Sequence, residues 1–80
     1  MVELLEMPLR FRLQEILDGR SPALSQRELA RLSGVSLVTI NAIANNRTRQ
    51  VALDTLDKIA EALGVPAGEL LVRERKGKRG

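Results

Sequence analysis

The stretch from Ser25 to Asn46, SQRELARLSGVSLVTINAIANN, limits what this chain can fold into more than any other. Ser25 has Glu28 three residues on. At that spacing the hydroxyl takes a free amide of a helix's first turn while the carboxylate reaches back, a capping box. Leu29, Ala30 and Leu32 follow at helical spacing, and Gly34 stands where a helix ends in a left-handed residue that glycine adopts without strain. Val35 and Ser36 make a turn, Ser36 caps the next helix, and Ile40 and Ile43 give that helix an inward face. Asn45 and Asn46 end it, because asparagine tolerates the left-handed cap position better than any residue except glycine.

The flanking segments add elements on both sides. Leu9-Arg10-Phe11-Arg12-Leu13 alternates apolar and basic residues, the period of a half-buried strand, before Leu13, Ile16 and Leu17 switch to helical spacing. A short strand leading into a helix and a simple helical start both fit. Residues 18–23, DGRSPA, read as a loop. Beyond the polar Arg47-Thr48-Arg49-Gln50 loop, Val51 and Leu53 return to apolar, and Leu56, Ile59, Ala60 and Leu63 mark a further helix. Asp54 either caps that helix or favours its first turn through the helix dipole, and Gly64 stops it. Pro66 opens a last short helix whose Leu70 and Leu71 close the core.

These spacings predict an all-α domain of five short helices, with or without the N-terminal strand. Its core is expected at Leu13, Ile16, Leu17, Leu29, Ala30, Leu32, Val35, Ile40, Ile43, Leu56, Ile59, Leu63 and Leu70. Phe11 is the sole aromatic residue, so that core must be aliphatic. Residues 9–72 form the domain, with the helix-turn-helix at 25–46; residues 1–8 are an N-terminal extension and residues 73–80, RERKGKRG, a basic mobile tail.

Composition narrows the chemistry. The 80 residues include no Cys and no His, which removes disulfides, thiolate chemistry, the commonest metal ligand and the commonest general base. Glu15, Asp18, Glu28, Asp54, Asp57, Glu61 and Glu69 are scattered at helix starts and exposed positions, without a nucleophile-base pair, a phosphate-cradling loop or metal-ligand spacing. Neither an enzyme nor a metal or cofactor is expected. No apolar run approaches the ~20 residues of a membrane span. MVELLE has neither the basic start nor the apolar core of a signal peptide, so the expectation is a soluble cytoplasmic protein. Net charge is only +3, but its placement is uneven. Arg20, Arg27, Arg31, Arg47 and Arg49 face the single acid Glu28 between positions 20 and 49, whereas Asp54, Asp57, Glu61 and Glu69 face Lys58 alone between positions 54 and 69.

Two helices joined by a three- to four-residue turn containing glycine form the helix-turn-helix pattern, whose second helix enters the DNA major groove. On a helical wheel Val38, Asn41, Ala42 and Asn45 lie opposite Ile40 and Ile43, with Leu37 near the N-terminal rim. Asparagine can bond both N6 and N7 of adenine, and Leu, Val and Ala can contact thymine methyls. An A·T-leaning base readout by Leu37, Val38, Asn41 and Ala42 follows. A protein contact suits the same apolar residues, and solvated surface or helix capping suits Asn41 and Asn45.

With LSQRELARLSGVSLVTINAI at its centre and LDTLDKIAEALGV downstream, the chain resembles the Cro/repressor-type helix-turn-helix, the XRE family, from about Leu13 to Leu71. Leu29, Ala30, Gly34, Val35, Ile40 and Ile43 stand where that family has its apolar, Ala and Gly positions. The second half is similar to a subgroup of very small bacterial regulators. The resemblance implies a phage-repressor-like five-helix fold that binds operator double-stranded DNA as a homodimer to repress or activate transcription. It also implies phosphate contacts from Gln26, Arg47 and Arg49, with Thr39 helping from the recognition helix; for Arg27 and Arg31 a phosphate contact and a plain surface charge are both open. Departures are a longer loop after the first helix, Asn46 where Gly is common, and Ala44 where Glu is frequent. Leu37, Val38 and Ala42 occupy positions that often carry polar base-reading side chains. The expected function is therefore sequence-specific DNA binding and repression. A protein-interaction module such as an antitoxin or adaptor, using the Leu37 to Ala42 face on an unknown partner, is the alternative. Candidate dimer surfaces are Val65, Leu71 and Val72, or pairing of Leu9 to Arg12 with residues after Leu70.

Overall fold

The computed structural model describes residues 9–48 and 50–73. Strand β1 (Leu9–Phe11) leads into helix α1 (Leu13–Asp18), followed by α2 (Gln26–Ser33), α3 (Leu37–Ala44) and α4 (Leu53–Leu63). A single 3-10 turn (Ala67–Leu70) then runs into strand β2 (Leu71–Arg73). The helical count expected from sequence is thus corrected: the fifth helix is only this four-residue 3-10 turn, entered from Pro66 in an extended conformation. Arg73, placed in the tail by its sequence, is the last residue of β2; the remaining tail residues and residues 1–8 lie outside the described residues.

Leu9, Arg10 and Phe11 pair antiparallel with Arg73, Val72 and Leu71. The alternation at Leu9–Phe11 does encode a strand, and its partner here is the segment after Leu70 of the same chain. The two segments meet because Arg12 N–H donates to the Leu70 carbonyl at 2.9 Å, continuing the ladder into the helical body.

Local signals explain the helix ends. Ser25 Oγ accepts from Glu28 N–H at 3.0 Å and Ser36 Oγ from Thr39 N–H at 3.2 Å, so both helices of the central pair carry side-chain N-caps. The second half of the capping box is replaced by an ion pair, as the Glu28 carboxylate turns to Arg31. Gly34 (φ 78°) and Gly64 (φ 72°) end α2 and α4 in the left-handed region. Helix α3 ends on Asn46 at φ 55°, with Asn46 N–H on the Ile43 carbonyl and Arg47 N–H on the Ala42 carbonyl, the paired bonds of a Schellman motif. Helix α4 has no side-chain cap at Ala52, and Asp54 sits in its first turn, where the dipole favours it.

One apolar core joins these elements. Leu13, Leu17, Leu29, Ile40, Ile43, Ile59 and Leu70 are fully buried, each worth about 1.5–3 kcal/mol relative to exposure. Phe11, an apolar position of the strand alternation, and Ala44, which the helical spacing did not single out, also belong to it, so the core is not the purely aliphatic one expected. Ile16, Ala30, Val35 and Leu56 pack against it half-buried. Leu32 is the exception: it is 51% exposed. The inward face of α2 runs through Leu29, Ala30 and Ser33, which places Leu32 on its far margin. Leu29→Ala is therefore expected to lower unfolding free energy by about 2–4 kcal/mol and Leu32→Ala by less than about 1, as read by urea denaturation. Equal losses would show that Leu32 is a core residue.

Candidate nucleic-acid interface

Helix α3 is set against the body by Ile40 and Ile43, both fully buried, and by Ala44. Its opposite face carries Leu37 and Val38, which are 37% and 79% exposed, with Asn41 and Ala42 half-buried beside them. A cavity of about 910 Å³ opens on this face and is lined by Gln26, Arg27, Leu37, Val38, Asn41, Ala42 and Arg47. All four residues expected to read bases thus share one concavity with two of the four expected to hold phosphate. Asn45, at the helix end, is exposed but does not line it.

The phosphate candidates divide. Gln26, the first residue of α2, is half-buried and hydrogen-bonded on both sides, donating to Gln14 Oε1 at 2.8 Å and accepting from Asn41 Nδ2 at 3.1 Å. Arg47 is exposed, and its guanidinium donates to Asn41 Oδ1. Thr39 is away from the cavity, its hydroxyl accepting from Ser36 Oγ at 3.0 Å, so the geometry makes it part of the α3 cap. Arg49 lies outside the described residues.

Arg27 was left open by sequence and proves to line the cavity. Its charge has no ion-pair partner among the described residues. Arg31, four residues on, is instead held by Glu28. The Arg31 hydrogen bond keeps the Glu28 carboxyl below its usual range, and the same pairing raises Arg31 in turn. Helical spacing alone treats Arg27 and Arg31 as equivalent; the position of Glu28 distinguishes them.

Two side-chain-capped helices joined through a left-handed glycine, the second presenting a free face beside Arg27 and Arg47, define a helix-turn-helix unit. The helix-turn-helix family model matches residues 23–70, more than half of the chain, and the protein belongs to that family, the XRE-type regulators that bind DNA. A search of curated proteins found no match to the chain. Among the described residues no helix is long and apolar enough to cross a membrane.

The cap of α3 satisfies a free amide at the start of the helix that presents this face. Ser36→Ala is expected to cost about 1 kcal/mol in thermal or urea unfolding, with most of it recovered in Ser36→Asp. No loss in the alanine variant would mean that the turn, not the hydroxyl, starts the helix.

Proposed function

We propose that this protein is a sequence-specific transcriptional repressor that acts as a homodimer and inserts α3 into the major groove of double-stranded DNA. The observation that carries this reading is the single concavity in which the free face of α3 meets Arg27, Arg47 and Gln26. Leu37, Val38 and Ala42 contact thymine methyls, and Asn41 bonds adenine. Arg47, Arg49 and Arg27 hold phosphates, with Gln26 and the first amides of α2. Thr39 contributes by fixing the start of α3. Two such units, about 34 Å apart, meet successive major grooves of a palindromic site. Residues 9–72 carry this activity, and the basic residues Arg75, Lys76, Lys78 and Arg79 either keep the end of the chain solvated or add affinity without sequence preference. The protein works in the cytoplasm without a cofactor.

A binding selection from random duplex DNA at physiological salt tests the reading. The wild type is expected to enrich an A·T-leaning palindrome. Asn41→Ala should relax one position in each half-site. Arg47→Ala should weaken binding to all sequences alike and lower the steepness of the salt dependence by about one per protomer. The 79% exposure of Val38 favours one other reading, an apolar docking face for a protein partner. Failure to enrich any motif, with binding to a partner lost on Val38→Ser, would replace the repressor by that module.

A further inference from the structure

The exposed face of α3 is linked by side-chain hydrogen bonds to α1. Gln14 Nε2 donates to Asp18 Oδ1 at 2.9 Å, Gln26 Nε2 to Gln14 Oε1 at 2.8 Å and Asn41 Nδ2 to Gln26 Oε1 at 3.1 Å, and the Arg47 guanidinium donates to Asn41 Oδ1. Four hydrogen bonds thus run in one direction through α1, α2, α3 and the loop beyond. A carboxylate can only accept and a guanidinium can only donate, so the two ends dictate which way each of the three amides between them faces. Reversing any one amide would set like groups against each other at both of its neighbours.

We propose that Asp18 is a positioning residue for base readout, and that phosphate binding by Arg47 hands Asn41 to the base. The inference rests on the regulator reading above. In the free protein Arg47 occupies the Asn41 carbonyl oxygen. A DNA phosphate is the stronger acceptor for a guanidinium, so Arg47 moves to it when the backbone arrives. Asn41 Oδ1 is then open to accept from adenine N6, and the second N–H of Asn41 Nδ2 donates to N7. At that moment the cationic end of the relay is gone. Only the Asp18 end, through Gln14 and Gln26, still holds the Asn41 amide with oxygen and nitrogen in the adenine-reading order. A turned amide offers the opposite pattern and loses the preference. The arrangement delays base readout until a phosphate is in place, and it makes Asp18, which touches no DNA, a determinant of sequence preference.

The same random-duplex selection, run on the full chain with Asp18→Asn, Asp18→Glu and Gln14→Leu, decides the matter. Asp18→Asn keeps the shape of the side chain but ends the relay in an amide that accepts or donates equally well. The expected result is a fall of about threefold to tenfold in the adenine preference at the one half-site position that Asn41→Ala also relaxes. Affinity for non-specific duplex should not drop, since a negative charge has been removed. Gln14→Leu should give the same single-position loss, and Asp18→Glu, an acceptor at the same i+4 spacing, should retain the preference. An unchanged motif in Asp18→Asn and Gln14→Leu, or weakening spread evenly over all positions, would overturn the relay while leaving the regulator reading intact. A wild type that enriches no motif would overturn both.

Discussion

Asn46 ties the end of α3 to strand β1. Its backbone takes the left-handed turn that ends α3, and its side-chain amide pairs with β1, accepting from Phe11 N–H at 2.7 Å and donating to the Phe11 carbonyl at 2.9 Å. That amide replaces the backbone of a third strand along the outer edge of β1. The end of α3 is thereby tied to the sheet that gathers both ends of the described domain. Glycine would relax the backbone here but could make neither bond, which is the physical sense of an asparagine at this left-handed position.

The same fixed turn controls the interface. Because Arg47 N–H closes the Schellman motif on Ala42, the arginine leaves the helix end at a set point and its guanidinium falls back on Asn41. The Arg20 guanidinium plays a different part, donating to the Leu63 carbonyl at 3.1 Å and satisfying the end of α4. Arg10 and Arg31 are paired with Glu15 and Glu28. Of the basic residues of the described chain, Arg27 and Arg47 are the two that line the cavity on α3. Net charge therefore says little about where an anion is met; the pairing of each cation says more.

Apolar side chains fill the centre of the recognition face while amides and arginines surround it. Leu37, Val38 and Ala42 have no hydrogen-bonding side chains, so in the proposed complex directional readout would fall on Asn41 and on whatever orients it. A short helix with a single amide reader depends more on that amide's orientation than a helix with several polar readers does.

Much of this was legible in the residues themselves. The caps at Ser25 and Ser36, the glycine stops at 34 and 64, the asparagine stop at 46 and the inward face of α3 were all readable, because each rests on bonds or backbone angles within a few residues of the signal. Leu32 was misplaced for the opposite reason: three-residue spacing gives a helix face, but which edge of that face meets α4 is decided by packing. The last helix shrank to a 3-10 turn because the chain must turn into β2 directly after Leu70, a demand set by the pairing with β1 some sixty residues earlier. Sequence alone determined the helix-turn-helix, since its information is local. Tertiary structure decided the strand partner, the burial of Phe11 and Ala44, the choice of Arg27 over Arg31, and the amide chain from Asp18 to Arg47. Apart from the Glu28–Arg31 pair that separates Arg31 from Arg27, these join residues far apart along the chain, and no periodicity records such a meeting.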